Sequence, residues 1–239
     1  MPISWCSSSL KSLLILILCQ TILILRLPRW ASMFFSTEAL VRVLMANAQQ
    51  GTEHDFGKHI IPRMIQNCDQ VYAFPFRDRN SGSVKYWRDI GALDSYFDAN
   101  MDLIAASSLF NLYDQDWPIR PYQPQAPPAK MVFHSPEYQG EILDSSVSNG
   151  GIISGVRVEH SIMRTRVFVH SWAQVKDCVM FDDVEIGRHA RICRAIIDKG
   201  VKIPAGTVID YDLDRDRQRF TVTDNGIVVI PKHTVVEPS

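Results

Sequence analysis

Residues 150–209 read GGIISGVRVEHSIMRTRVFVHSWAQVKDCVMFDDVEIGRHARICRAIIDKGVKIPAGTVI. When this stretch is written in rows of seventeen, residues of the same kind fall in the same column of successive rows. The apolar columns hold Ile152, Val169, Ile186 and Ile203; Val158, Val175, Ile192 and Ile209; Ile162, Val179 and Ile196; and Val167, Val184 and Val201, while a column of mostly small residues holds Val156, Ala173, Ala190 and Thr207. Self-similarity at a fixed short period is typical of a solenoid, in which each turn buries its apolar face on the next.

The spacing within a row indicates which solenoid this is. An α-helix needs an apolar position every three to four residues, whereas these columns follow one another by six, four and five. The repeating sites carry β-branched residues, which favours short strands. Ile186-Gly187 and Ile203-Pro204 place a turn-forming residue directly after a strand position. The pattern therefore predicts a triangular parallel β-helix with about 17 residues per coil; the alternative is a β-sandwich whose spacing is a coincidence.

The composition is that of an ordinary globular protein. The chain has 239 residues, of which 46% are hydrophobic and 21% charged, and its formal net charge is −1. A near-neutral charge gives no electrostatic reason to expect nucleic acid as a partner. The cysteines are odd in number, scattered and without a CxxC pair, at Cys6, Cys19, Cys68, Cys178 and Cys193. This usage indicates reduced thiols and a cytoplasmic protein rather than a disulfide framework.

Residues 1–34 differ from the rest of the chain. The run from Leu13 to Leu25 is apolar apart from Cys19, Gln20 and Thr21. Thirteen residues fall short of the roughly 20 that a membrane-spanning helix needs. A secretory signal and a membrane segment are two interpretations of this run, and a third follows from the resemblance described below.

The chain between this segment and the solenoid divides into two parts. Residues 37–48 place apolar side chains on one helical face, and residues 93–110 form a second predicted helix with Asp94, Asp98 and Asp102 on its solvent side. Residues 111–140 are rich in proline and read as an ordered connector. After the solenoid, two β-runs flank Asn225-Gly226, a strong hairpin signal, and this hairpin would cap the open end of the solenoid.

Six stretches of the chain carry a resemblance to a known family. They read HDFGKHIIP at 54–62, YWRDIGALDSYFDANMDL at 86–103, WPIRPYQPQAPPAK at 117–130, SNGGIISGVRVEHSIM at 148–163, IGRHARICRAIIDKGVKIPAG at 186–206 and GIVVI at 226–230. Together they resemble the C-terminal half of bacterial ADP-glucose pyrophosphorylase (glucose-1-phosphate adenylyltransferase), continuously from about Ser32 to the end. The resemblance implies a mixed fold. The end of an α/β nucleotidyltransferase domain occupies 35–110, a connector follows at 111–140, and a hexapeptide-like left-handed parallel β-helix occupies 141–239.

The resemblance also implies a reaction and a set of site residues. ATP and α-D-glucose 1-phosphate would give ADP-glucose and diphosphate in glycogen biosynthesis, with Mg²⁺ on the phosphates. Asp55 matches a metal-ligand aspartate of the family, and a hard divalent cation prefers carboxylate oxygen. The residues that match segments lining the sugar-phosphate side of the pocket are Lys58, Trp87, Arg88 and Asp89. From the residues alone, Asp55 is equally a helix cap, Trp87 a core residue, and Arg88 and Asp89 partners of each other or of the scaffold.

The family further implies tetramer contacts and an allosteric site for a phosphorylated sugar. A phosphate effector requires clustered cations. The candidates are Arg188, Arg191, Arg194 and Lys199, with Lys202 beside them. The alternative for each of them is a solvated edge of the β-helix.

The family's Gly-rich ATP loop, of the type GGxGxRLxPLT, has no counterpart in the sequence. We therefore interpret residues 1–34 as a hydrophobic segment foreign to the family, such as a shifted reading frame produces, and we expect the chain alone not to make ADP-glucose. A second hypothesis is a non-catalytic oligomerisation or regulatory subunit in a homo- or hetero-tetramer. A third is a hexapeptide-type acyltransferase that uses one of His160, His170 and His189.

Overall fold

A computed structural model describes residues 33–51, 53–72, 77, 85–115, 118–120, 122–132 and 140–238. The chain divides into two compact units, residues 1–85 and 86–239. The apolar run at 13–25 lies outside the described residues. Among the helices that are described, none has the length and apolar character needed to cross a membrane.

The described part of the first unit is helical. Helix α1 spans Thr37–Ala48, as predicted from the sequence, and the Ser36 hydroxyl caps it by accepting a hydrogen bond from the Ala39 amide at 3.3 Å. A π-helical turn, Phe56–Ile60, leads into helix α2, Ile61–Gln66. A small apolar core, formed by Val43, Ile60 and Met64 with Phe35 and Phe56 against it, holds these elements together.

The second unit contains two helices and the strands of the solenoid. The helices are α3 (Leu93–Ile104) and α4 (Leu213–Arg219). The strands are β1 (Lys130–Val132), β2 (Glu141–Leu143), β3 (Ser146–Val147), β4 (Ile152–Ser154), β5 (Arg157–Glu159), β6 (Ile162–Met163), β7 (Phe168–Val169), β8 (Gln174–Met180), β9 (Glu185–Ile186), β10 (Arg191–Ile197), β11 (Lys202–Ile203), β12 (Val208–Ile209), β13 (Thr221–Val222) and β14 (Val228–Ile230).

Parallel pairing of these strands builds the predicted β-helix. The solenoid has three faces, and the one called the third face here contains strands in the order β1-β4-β7-β9-β11. Strands β8 and β10 bend, so that their first halves join β2, β5 and β12 on the first face and their second halves join β3, β6 and β14 on the second. One predicted column is in register and buried; it contains Val158, Val175, Ile192 and Ile209. The columns that begin at Val156 and Val167 are buried as well.

The first apolar column needs one correction. Ile153 rather than Ile152 pairs with Val169, and Ile153 is fully buried while Ile152 is 39% exposed. The spacing here is sixteen residues, as it also is between Ile142 and Val158, whereas later coils keep seventeen. Because neighbouring strand residues face opposite sides, the shift of one residue exchanges the inward and outward positions.

The corners of the triangle are columns of residues with left-handed backbone. One column holds Asp144, His160, Asp177 and Arg194, the next holds Gly150, Arg166, Asp183 and Gly200, and the last holds Gly155, Trp172, His189 and Gly206, all with φ between 37° and 75°. Most of these residues carry side chains, although such a backbone favours glycine. Gly187 meets a different constraint, since a Cβ on it would lie 2.5 Å from the Ala205 amide nitrogen of the next coil.

Helix α3 explains the column of Ile162, Val179 and Ile196. The side chains of Val179 and Ile196 face outward on the second face, where they pack with Phe97 and Met101 of α3. The inward residues of that face are Met163, Met180 and Ile197. Helix α3 ends at Ile104 rather than at residue 110 as predicted. Its predicted solvent-facing row is also partly engaged, because Asp94 and Asp102 are half-buried and each has a partner.

The hairpin predicted around Asn225-Gly226 is confirmed. Strand β13 pairs antiparallel with β14, and β14 adds in parallel to β10. Helix α4 precedes it and was not predicted; Asp212 caps that helix, and Leu213 packs on the solenoid core. The tail returns to the same core through Val236, which is 6% exposed. The C-terminal end of the solenoid is thereby covered. The predicted domain limits of 35–110, 111–140 and 141–239 stay a prediction.

Candidate functional site

Asp55 and Lys58 lie together at the start of the π-helical turn. One carboxylate oxygen of Asp55, Oδ1, accepts a hydrogen bond from the Lys58 backbone amide at 2.7 Å, so Asp55 is the N-cap of this turn. This hydrogen bond holds the pKa of Asp55 below its usual range. The Lys58 ammonium lies 2.6 Å from the Glu53 carboxylate, and both side chains are exposed. The cap does not exclude a metal role, because a carboxylate has two oxygens and several acceptor positions.

Trp87, Arg88 and Asp89 lie in the second unit, directly before helix α3. The side chain of Trp87 is 46% exposed, so it is not a core residue. Arg88 reaches the helix, with Nη2 at 3.2 Å from Asp102 Oδ2 and Nη1 at 3.5 Å from Asp98 Oδ2. The Asp89 carboxylate accepts a hydrogen bond from the Gly91 amide at 3.0 Å. Arg88 thus pairs with the scaffold, which was one of the alternatives open from the sequence.

The sequence did not single out the partners that hold this segment. Tyr86 Oη donates to Asp102 Oδ2 at 2.8 Å, and burial together with this bond raises the pKa of the Tyr86 phenol. Asp98 and Asp102 had been predicted to face solvent. The signal that could have identified them is the acidic row at four-residue spacing on a helix that follows a tyrosine and an arginine.

The candidate effector cations belong to one stretch of the solenoid but lie on different sides of it. Arg194 occupies one corner column and contacts the Asn225 carbonyl, while Lys199 lies at the next corner, 3.8 Å from Asp182. Arg191 lies on the first face over the ring of Tyr211, 4.4 Å from its centroid. Arg188 lies just before the third corner. The structure therefore distributes these cations around the coil and does not gather all of them at one point.

The histidines considered for acyl transfer are also separate. His160 lies at a corner with Nδ1 2.6 Å from Asp177, His170 lies on the third face 3.0 Å from Glu185, and His189 stacks on Trp172 with ring centroids 6.2 Å apart. Each has a neighbour from the adjacent coil, which is the arrangement of a ladder rather than of one catalytic centre. Across the described residues, no group of three or more His, Cys, Asp or Glu side chains is placed to hold a metal ion.

The three cysteines in the described ranges differ in exposure. Cys68 is exposed, Cys193 is half-buried and Cys178 is fully buried in the solenoid core. Burial raises the pKa of the Cys178 thiol, so it stays protonated.

Two family descriptions match separate parts of the chain. The description "Nucleotidyl transferase" matches residues 29–106, and "GlmU-like, C-terminal hexapeptide" matches residues 127–230. The first match includes helix α3, which packs on the solenoid in the structure.

Curated relatives extend over both parts. A glucose-1-phosphate adenylyltransferase of Rhodopirellula baltica is 51% identical over 207 residues, which cover 84% of this chain and 46% of the relative. Proteins of the same name from Koribacter versatilis and Methylococcus capsulatus are 46% and 50% identical, cover 83% and 82% of this chain, and are themselves covered over 48% and 46% of their length. The chain spans about half the length of the curated relatives it matches.

Proposed function

This chain belongs to the glucose-1-phosphate adenylyltransferase family through the C-terminal half of that family's sequence, and on this premise we propose that it serves as the C-terminal half of an enzyme that makes ADP-glucose. The substrates would be ATP and α-D-glucose 1-phosphate, and the products ADP-glucose and diphosphate. The observation that carries the proposal is the similarity over more than four-fifths of the chain, across a nucleotidyltransferase part and a β-helix.

Asp55 is the residue of this chain that we propose for Mg²⁺. Magnesium in proteins that handle nucleotides is held by one or two carboxylates together with substrate phosphates and water, so a single half-exposed aspartate fits it. When bound, the ion would neutralise phosphate charge. The chain's own contribution is to hold the Asp55 carboxylate ionised and fixed through the Lys58 amide.

Lys58, Trp87, Arg88 and Asp89 are proposed for the sugar-phosphate side. The exposed ammonium of Lys58 can exchange Glu53 for a phosphate oxygen, since a lysine acts as a mobile point charge. The half-exposed indole of Trp87 offers an apolar surface to a sugar ring. These features support binding of a phosphorylated sugar, and catalysis in such a reaction comes mainly from positioning and charge neutralisation.

The β-helix is proposed to mediate assembly and to respond to a phosphorylated-sugar effector. Arg188, Arg191, Arg194 and Lys199 are exposed, but they lie around the coil. In a tetramer, cations from different sides would meet those of neighbouring subunits. Measurement of mass in solution by light scattering, with and without fructose 1,6-bisphosphate, tests both the assembly and its response.

The direct test of the activity is diphosphate release. The purified 239-residue chain is incubated with ATP, glucose 1-phosphate and Mg²⁺, with and without fructose 1,6-bisphosphate, and we expect no turnover. Turnover by the pure chain would show that its own residues bind the triphosphate. This result would contradict the expectation that triphosphate binding needs residues outside this chain.

A chimera tests the proposed role itself. Residues 33–239 replace the corresponding half of the Methylococcus capsulatus relative, and the expected result is ADP-glucose synthesis that depends on Mg²⁺. A folded chimera that assembles but makes no ADP-glucose would instead favour the alternative proposal, a non-catalytic subunit that provides oligomer contacts.

A further inference from the structure

Two side chains on either side of Trp87 fasten its segment to helix α3. Tyr86 Oη and Arg88 Nη2 both contact Oδ2 of Asp102, at 2.8 Å and 3.2 Å, and Arg88 Nη1 lies 3.5 Å from Asp98. Trp87, between them, is 46% exposed. Tyr86 and Arg88 therefore anchor the segment to helix α3, while the side chain of Trp87 between them stays accessible.

The charges around Arg88 favour anchoring over ligand binding. One guanidinium lies within 3.5 Å of two carboxylates, so the group carries a net negative charge. The side chains of Arg88 and Asp102 are 35% and 36% exposed, so solvent screens them only in part. A sugar phosphate approaching Arg88 would meet Asp98 and Asp102 as like charges, which is unfavourable at short range.

Helix α3, which bears these carboxylates, is itself fixed to the solenoid. Phe97 and Met101 pack with Val179 and Ile196 in a buried cluster. The Thr223 hydroxyl of the terminal hairpin donates to Asp94 in the first turn of the helix at 2.6 Å. A rigid support of this kind is what a positioned binding residue requires.

We propose that Arg88 is a positioning residue, held by Asp102 and Asp98, and that it presents Trp87 and Asp89 to the sugar phosphate rather than binding the phosphate itself. This proposal rests on the proposed function for the identity of the ligand. The anchoring of residues 86–89 by Asp98 and Asp102 does not depend on the proposed function, because it is a property of the 239-residue chain.

Asp102→Asn separates a positioning role of Arg88 from a phosphate-binding role, because the two roles predict opposite changes in the KM for glucose 1-phosphate. If Arg88 positions the segment, the substitution loosens it and raises the KM for glucose 1-phosphate by about tenfold in the chimera, and Asp102→Glu recovers part of the loss. If Arg88 binds phosphate, removing a competing carboxylate lowers that KM. Asp224→Asn makes the same charge change on the exposed hairpin turn and is expected to leave KM unchanged.

Hydroxyl-radical footprinting of the 239-residue chain tests the anchoring without any activity. We expect Asp102→Asn and Arg88→Met to increase labelling of the half-buried Tyr86 several-fold, and Asp224→Asn to leave it unchanged. Unchanged Tyr86 labelling in Asp102→Asn, or a lower KM in the chimera, overturns the positioning role. An inactive unsubstituted chimera counts against the proposed function instead, and the footprinting then decides the anchoring.

Discussion

Asp55 caps the π-helical turn and is proposed as a metal ligand, and one substitution distinguishes the two roles. Asparagine caps a helix about as well as aspartate does, but it removes the negative charge. In the chimera we expect Asp55→Asn to lower kcat roughly 100-fold or more, because a metal on a phosphoryl group contributes several kcal/mol. Asp55→Asn should destabilise the first unit less than Asp55→Ala, which should cost about 1 kcal/mol. Full turnover in Asp55→Asn would leave Asp55 with only the capping role.

The corner pair Arg166–Asp183 makes stability depend on pH. Arg166 binds both Asp183 oxygens, at 2.6 and 2.7 Å, and holds the pKa of that carboxyl below its usual range. A pKa depressed by folding stabilises the protein above the unfolded value, near 3.9, and this contribution is lost as pH falls through the folded value. Asp183→Asn should therefore lower the urea midpoint at pH 7, and the difference should vanish as pH falls well below 4.

Asparagine suits this test because it tolerates the left-handed backbone of Asp183, whose φ is 62°. About half of each side chain in the pair is exposed, so we expect the difference at pH 7 to be small and to shrink further in 1 M salt. A difference that persists at pH 2 would indicate lost packing rather than a lost charge.

Among the elements, the turn at Gly187 tests how closely the coils approach one another. A Cβ there would lie 2.5 Å from the nitrogen of Ala205 and 2.6 Å from the carbonyl carbon of Pro204, both backbone atoms of the next coil. Gly187→Ala should therefore cost about 1–3 kcal/mol in the free energy of unfolding, as other overpacking substitutions do.

Gly200 provides the matched control in the neighbouring coil. Its φ is 67°, no atom beyond its chain neighbours lies within 4 Å of the position that a Cβ would take, and the same corner column holds Arg166 and Asp183 in earlier coils. Gly200→Asn should cost at most about 1 kcal/mol. Equal losses for the two variants would mean that the approach of the coils does not determine the cost at Gly187.

The same elements show what could be predicted from sequence and what could not. The period of seventeen located the buried valines at 158 and 175 because every turn repeats one environment. It failed at Ile152, since a coil of sixteen residues shifts the register, and it did not distinguish Val179, which faces helix α3, from the residues that face the solenoid interior. Tertiary packing decides both cases, and a single period cannot report it.

The contacts of the candidate site residues were predicted less completely than the fold. The resemblance identified Arg88, but its partners Asp98 and Asp102 lie on a helix whose polar row resembled an ordinary solvated face. Helix α4 was missed because its sequence, LDRDRQR, has no apolar period; Leu213 alone packs on the core.

At the scale of the whole second unit, the two ends of the solenoid differ in their cover. Leu213, Phe220 and Val236 pack on the core at the C-terminal end. At the other end, Met131 of β1 stands in register with the fully buried Ile153 but is itself 48% exposed. A stack whose coils contact only their neighbours opens from its less stable end.

Amide hydrogen exchange should therefore be faster in β2 (Glu141–Leu143) than in β10 (Arg191–Ile197), as measured by mass spectrometry under native conditions. Val236→Asp should speed amide exchange in β12 and β14, because it removes an apolar contact at the C-terminal end, and should leave exchange in β2 unchanged. Exchange that begins in β10 of the unsubstituted chain would contradict the assignment of the stable end.

The corner columns also determine how such a body can grow. From β5 onward the coils repeat at seventeen residues, with left-handed corners one above another. A tandem duplication of residues 174–190 would give each inserted strand a neighbour with the sequence it already accepts, and helix α3 would meet the copied Val179 in place of the original. Each such duplication would lengthen the solenoid by about 4.8 Å. Gene duplication of single coils can therefore change the length of the solenoid in fixed steps, while the sequences that cover its two ends stay the same.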